Sequence, residues 1–145
     1  MMRWTYSILV LLALSVLAHG QTLEQLKAEA GHADSNQAKA SAEVAERLVA
    51  VADKEFTDGE SVKGHQTVQE ILNYATQAHD LAINNRKKMK DTEIHLRRCR
   101  HALENVRRTL AAEDRPAAEA VEKKLEQFGQ DILEAMFAPP KKEKK

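Results

Sequence analysis

The amino-acid sequence predicts an all-α protein, built as a long antiparallel coiled-coil hairpin of three helices. The chain of 145 residues contains only five glycines and three prolines, so few positions interrupt a helix. Apolar residues recur at alternating spacings of three and four, which is the period of a coiled coil, and no strand-like alternation is visible. With 43% hydrophobic and 30% charged residues, the length is that of one small domain.

Helix breakers divide the chain at three places. Asp58-Gly59 is typical of a helix C-terminus, and Pro116 lies in the first turn of a following helix. Pro139-Pro140 ends the folded part. We therefore expect helices over residues 23–57, 62–112 and 115–137, in a single domain that covers residues 21–138, followed by a disordered Lys-rich tail over residues 139–145.

The second predicted helix carries the longest heptad pattern. The apolar positions of this pattern, which we call the seam, are Val68, Ile71, Ala75, Ala78, Ala82, Asn85, Met89, Thr92, Leu96, Cys99, Leu103, Val106 and Leu110. The third helix continues the pattern with Ala118, Val121, Leu125, Phe128, Ile132 and Ala135. The unbroken phase favours one continuous helix. The alternative is a break near Asn84-Asn85, which gives a compact up-and-down four-helix bundle.

The charge distribution agrees with antiparallel neighbours. Residues 21–60 carry four basic and nine acidic side chains, residues 61–112 carry ten and five, and residues 113–138 carry three and seven. A basic central helix between two acidic ones favours this orientation, although each exposed pair contributes only about 0.2 to 1 kcal/mol.

The first twenty residues are typical of a signal peptide. Arg3 precedes an apolar run over residues 7–18, and small residues at Ala18 and Gly20 predict cleavage before Gln21. The run is too short to span a membrane, which needs about 20 apolar residues. We therefore expect an exported protein, periplasmic or extracellular, with no transmembrane span.

One group of side chains has metal-compatible chemistry. Asp91, His95 and Cys99 follow one another at spacings of four, so they lie near one helical face. A tight site needs ligands from a second helix, and Cys99 occupies a seam position where a small apolar side chain packs well. The sequence therefore favours packing, with no cofactor, and leaves Cys99 as either a buried thiol or a link between chains.

Two sets of residues are candidates for interaction. Leu72, Tyr74 and Leu81 widen the apolar face of the second helix and predict contact with another helix or a second copy of the chain. Arg97, Arg98, Arg107 and Arg108 make the same helix basic. Without interleaved aromatic residues, this pattern favours solvated or intramolecular charges over nucleic acid, and the Lys-rich tail allows a weak contact with an anionic envelope surface.

No catalytic motif is present. The sequence lacks a phosphate-binding glycine loop, an H-E-x-x-H motif and a triad arrangement, so we expect no enzyme. The leading hypothesis is an exported non-catalytic helical scaffold that binds protein partners or itself. The alternatives are a periplasmic stress chaperone or adaptor and a carrier of a small ligand or metal.

The C-terminal half of the predicted mature chain resembles a family of exported helical proteins. The matching runs are D-T-E-I at residues 91–94, the pairs Arg97-Arg98 and Arg107-Arg108, and E-D-R-P at residues 113–116. They are similar to uncharacterised exported helical proteins of acidobacterial type. The resemblance implies an all-helical fold and carries no activity.

Overall fold

The computed structural model describes residues 21–138 and contains five α-helices, with no strand among these residues. The helices are α1 (Leu23–Ala30), α2 (Gln37–Thr57), α3 (Ser61–Asn85), α4 (Met89–Thr109) and α5 (Arg115–Phe137). The predicted all-α class is confirmed. The predicted signal peptide and the Lys-rich tail lie outside the described residues. Within residues 21–138, no helix has both the length and the apolar character needed to cross a membrane.

The first predicted helix is wrong as a single element, because residues 23–57 form two helices. α1 ends at Ala30, and the backbone N–H of Gly31 turns back onto the carbonyls of the last helical turn. Asp34 Oδ1 then accepts a hydrogen bond from the Asn36 backbone N–H at 2.8 Å, which closes a local turn. These turn-forming residues break the helix before Gln37.

The second predicted helix is also wrong as a continuous element. α3 ends at Asn85, and α4 begins at Met89, so the break expected in the alternative bundle is present. Arg86 and Lys88 adopt left-handed backbone conformations, with φ of 52° and 55°. Such conformations reverse the chain without glycine or proline, at a cost of about 1 to 2 kcal/mol for each residue.

The four long helices form two stacked helical hairpins. Hairpin 1 comprises α2 and α3, and hairpin 2 comprises α4 and α5. Within each hairpin the helices are antiparallel: Thr67 of α3 contacts Glu55 of α2, and Arg107 of α4 contacts Glu122 of α5.

Between the hairpins, neighbouring helices are parallel. α2 lies beside α4, and α3 lies beside α5, whereas α2 and α5 make no contact. The residue numbers of bonded partners increase together along α3 and α5. His65 contacts Asp114 near one end, and Arg86 donates to the Ala135 carbonyl near the other. The short linker between α3 and α4 therefore crosses the bundle diagonally.

α1 covers the outer side of hairpin 1. Leu26 and Ala30 are each only 1% exposed. The carbonyl of Ala30 accepts hydrogen bonds from Gln37 Nε2 at 3.0 Å and from Gln77 Nε2 at 2.8 Å, so the end of α1 is tied to both α2 and α3. Lys27 adds an ion pair to Glu70 at 3.0 Å. This short helix is stabilised by tertiary contacts, since eight residues are marginal alone.

The seam residues form the core as expected, with few exceptions. Asn85 is exposed at the end of α3, and Phe128 and Ala135 are only half-buried. The other predicted seam positions are buried, and all of them except Thr92 join the buried apolar side chains of α1 and α2 in one hydrophobic cluster. The heptad phase therefore predicted burial correctly even where it predicted helix continuity wrongly.

Candidate functional site

A surface groove lies between the parallel helices α2 and α4. Its volume is about 620 Å³. The lining residues are Glu43, Glu46, Arg47, Val49, Ala50, Asp53, His95, Arg98, Ala102, Asn105 and Val106. The groove exists because alanines at positions 50 and 102 leave space between two helices that carry longer polar side chains on either side.

A histidine–carboxylate pair crosses this groove. His95 Nδ1 of α4 lies 2.5 Å from Glu46 Oε2 of α2, and both side chains are largely buried. Beside this pair, Arg47 donates to the Gln21 carbonyl and to Glu43 Oε1, the latter at 3.2 Å. These contacts hold α1, α2 and α4 in register at one wall of the groove.

The remaining polar groups are available for a ligand. Among the described residues, Arg98 and Asp53 form no ion pair, and they provide one positive and one negative charge to the groove. The floor between them is apolar, with Val49 and Val106 buried. Mixed charge above a narrow apolar floor suits a polypeptide segment, whose side chains and backbone present both kinds of group.

The predicted metal candidates do not converge. His95 contacts Glu46, whereas Cys99 is completely buried in the core. Burial raises the pKa of the Cys99 thiol to about 12, with a smaller contribution from Glu46. Asp91 lies in the first turn of α4. Within the described part of the chain, no group of three or more His, Cys, Asp or Glu side chains has metal-binding geometry.

Two more histidine–carboxylate pairs join the hairpins on the opposite side. His65 Nε2 of α3 lies 2.8 Å from Asp114 Oδ1, just before α5. His79 Nε2 lies 2.9 Å from Asp131 Oδ2, and its ring stacks on Phe128 with centroids 4.6 Å apart. With His95 and Glu46, each pair links one hairpin to the other. Histidines are therefore the main polar contacts between the hairpins in residues 21–138.

The predicted basic residues are mostly neutralised within the chain. Arg107 Nε lies 2.6 Å from Glu122 Oε2 of α5, and Arg108 Nη2 lies 2.6 Å from Glu104 on its own helix. Arg97 lies 3.7 Å from Glu93. Arg98 alone of the predicted arginines lines the large groove. The structure thus places these four residues on different sides of α4.

The predicted apolar interaction residues occupy the inner margin of α3. Leu72, Tyr74 and Leu81 are half-buried and pack against the core. Leu81 also lines a smaller cavity at the loop between α1 and α2, together with Lys87. All three side chains remain partly exposed.

Sequence reasoning missed Glu46 as the partner of His95. Helical spacing linked His95 to Asp91 and Cys99, which are near in sequence, but the bonded carboxylate is 49 residues away. The available signal was the repeated pairing of one acidic and one basic helix, which predicts cross-helix ion pairs without naming the residues.

Comparison of the chain with protein-family models, curated proteins and solved structures finds no match.

Proposed function

We propose that this protein is an exported, non-catalytic helical scaffold that binds a protein partner in the groove between α2 and α4. The observation that carries the proposal is the groove itself: about 620 Å³ of open space with a narrow apolar floor and charges of both signs at its walls. The packed bundle holds α2 and α4 in a fixed arrangement, which lowers the ordering cost of binding.

The chemistry of the lining supports binding without catalysis. The groove contains carboxylates, two arginines and one histidine, but its lining residues include no hydroxyl or thiol side chain. His95 is directed to Glu46 at 2.5 Å, in a contact that ties α2 to α4. This contact uses Nδ1 and leaves Nε2 for another partner, but no hydroxyl or thiol side chain lines the groove for Nε2 to activate.

Photocrosslinking in cells tests the site directly. A photoreactive amino acid at Asn105, which is exposed in the groove, should give a discrete adduct with a partner. The same amino acid at Lys124, which is exposed on α5, serves as the control. Equal labelling from both positions, or none from Asn105, contradicts the proposal.

A groove-filling variant separates binding from folding. Ala50 is exposed and lines the groove, so Ala50→Trp should abolish the Asn105 adduct while the bundle remains folded. Ala120→Trp, at an exposed position of α5, should leave the adduct unchanged. A persistent adduct in Ala50→Trp places the partner elsewhere.

Export is tested by mass. The signal-peptide pattern in residues 1–20 supports cleavage before Gln21, so the intact mass of native protein from outside the cytoplasm should correspond to residues 21–145. Native protein that retains residues 1–20 contradicts cleavage.

A further inference from the structure

One end of the bundle collects several cations that form no ion pair with the described residues. Four of the five residues from 86 to 90 are basic: Arg86, Lys87, Lys88 and Lys90. All four are exposed, and none forms an ion pair with any residue in the described range. Eight of the thirteen other Lys and Arg side chains in residues 21–138, such as Lys27, Arg107 and Arg108, are paired with carboxylates. We call the surface around residues 86–90 the cationic end.

The C-terminus of α5 lies at the same end. Arg86 Nη2 donates to the Ala135 carbonyl at 2.9 Å, which joins the linker to the last turns of α5. Phe137, the final residue of α5, is 84% exposed, more than any other large apolar side chain in the structure's described range. Leu133, one turn earlier on the same helical face, is 41% exposed. An exposed aromatic ring therefore lies near unpaired cations.

The sequence directly after α5 contains further cations. Ala138 is extended, with φ of −80° and ψ of 142°, and is followed by Pro139-Pro140 and then four lysines with one glutamate. These residues follow directly after α5, whose last residue is Phe137.

Acidic side chains at this end moderate the charge. Asp34 lines a cavity with Lys87, Asp91 lies in the first turn of α4, and Glu134 lies in the last turn of α5. The described cations exceed these carboxylates by one, and residues 139–145 add three more net positive charges. The opposite end of the bundle, with Asp58, Glu60, Glu113 and Asp114 in its turns, is acidic.

We propose that the cationic end, with Phe137 at its edge, docks on an anionic lipid surface. Juxtaposed lysines and an exposed aromatic side chain match the two parts of such a surface, charged headgroups and the apolar layer beneath them. Single-stranded nucleic acid would need several stacking rings along a groove, whereas this end has one exposed ring. The proposal goes beyond partner binding in the α2–α4 groove, and neither requires the other.

Vesicle cosedimentation tests the proposal with the proposed mature chain, residues 21–145, because the apolar run over residues 7–18 could bind either kind of vesicle. Vesicles of equal parts phosphatidylglycerol and phosphatidylcholine should bind the protein, and vesicles of phosphatidylcholine alone should not. The Lys87→Glu/Lys90→Glu double variant should lower the partition coefficient roughly 30-fold or more, since each lysine near an anionic surface contributes about 1 kcal/mol. Both positions are exposed, and the left-handed residues at 86 and 88 stay unchanged.

Matched controls distinguish the cationic end from general charge. Lys123→Glu/Lys124→Glu changes the net charge equally at exposed positions of α5 and should bind nearly as wild type. Phe137→Ser should weaken binding about tenfold, whereas Val62→Ser, at a position 73% exposed on α3, should not.

Three outcomes overturn the proposal. Equal binding to both kinds of vesicle, or an equal loss in the two double variants, shows that the cationic end is not the docking surface. Binding to single-stranded DNA or polyphosphate without binding to anionic vesicles shows that the cationic end binds an anionic polymer and not a lipid surface.

Discussion

The corresponding helices of hairpin 1 and hairpin 2 are parallel and similar in length, but different side chains pack the two helices of each hairpin together. In α2 and α3, eight of the thirteen buried apolar side chains are alanine. In α4 and α5, only Ala118 among the nine buried apolar side chains is alanine, and the rest are larger. Two nearly equivalent hairpins are thus held together by different means.

Because their buried side chains differ in size, the two hairpins depend on different additional contacts. Alanines allow helices to approach closely but bury little side-chain area. Hairpin 1 compensates with polar links, including Gln77 Nε2 to Ser41 Oγ at 2.9 Å, and with the cover provided by α1. Hairpin 2 relies on leucine and isoleucine packing, and α1 does not cover it.

The largest expected effect is a cavity in hairpin 2. Leu103 is fully buried in α4, and Leu103→Ala should lower the free energy of unfolding by about 3 kcal/mol, because both transfer energy and packing are lost. Leu133→Ala, at a position 41% exposed on α5, is the control and should cost less than about 1 kcal/mol. Urea denaturation measures both. Similar losses in the two variants contradict a core centred on the large side chains of hairpin 2.

Glycine substitutions should have opposite effects in the two hairpins. A Cβ at Gly64 would lie 2.7 Å from the Phe56 ring, so Gly64→Ala should destabilise hairpin 1 by about 1 to 2 kcal/mol. A Cβ at Gly129 meets no atom within 4 Å, so Gly129→Ala should stabilise α5 by up to about 1 kcal/mol. Thermal or urea unfolding measures the sign. Two changes of the same sign contradict the close approach in hairpin 1.

Cys99 tests the apolar core of hairpin 2 through pH. Burial raises the pKa of its thiol from 9.0 to about 12, so only the unfolded chain loses the proton readily as the pH rises above 9. The stability that this thiol contributes is complete below pH 9 and is lost progressively towards pH 12. Between pH 8 and pH 10, wild type should lose about 1 kcal/mol more than Cys99→Ala.

The control for the pH comparison is the stability of the Cys99→Ala variant at neutral pH. There Cys99→Ala should cost only about 1 kcal/mol, from a small cavity. A thiol reagent should modify native Cys99 much more slowly than the unfolded chain, because the side chain is completely buried. Equal reaction rates, or parallel pH curves for the two proteins, contradict a shielded thiol.

The smallest expected effect concerns the linker between the hairpins. Lys88 has a φ of 55°, a conformation that glycine adopts without strain, so Lys88→Gly should stabilise the protein by roughly 0.5 kcal/mol. Lys87→Gly is the matched control, since Lys87 does not share the positive φ, and it should give a slight loss. Chemical denaturation of both variants decides whether the linker holds backbone strain.

The sequence predicted burial well and chain breaks poorly, for a physical reason. The seam records which side chains avoid water, and it continues in phase from Ala82 to Met89 across the linker. A straight helix and two successive helices that face the same core need the same apolar spacing, so the phase does not distinguish them. The helix breaks because Arg86 and Lys88 adopt left-handed backbone angles. No glycine or proline at these positions indicates the break in the sequence.

The break between α1 and α2 was also not predicted, although turn-forming residues mark it in the sequence. Gly31 and the run from Asp34 to Asn36 are turn-forming residues, and the structure uses them for the turn between α1 and α2. For the candidate site, the sequence singled out His95 and Arg98, but Glu46 and the groove depend on which helices become neighbours. The diagonal linker between α3 and α4 determines which helices are neighbours, and a local sequence pattern does not predict this arrangement.

The three histidine–carboxylate pairs have a consequence for the order of folding. Each pair closes a loop of about fifty residues, whereas contacts within a hairpin join segments on either side of a short turn. Because closing a long loop has a larger entropic cost, we expect each hairpin to form first and the two to dock afterwards. Substitutions at His65, His79 or His95 should then accelerate unfolding and leave the folding rate almost unchanged.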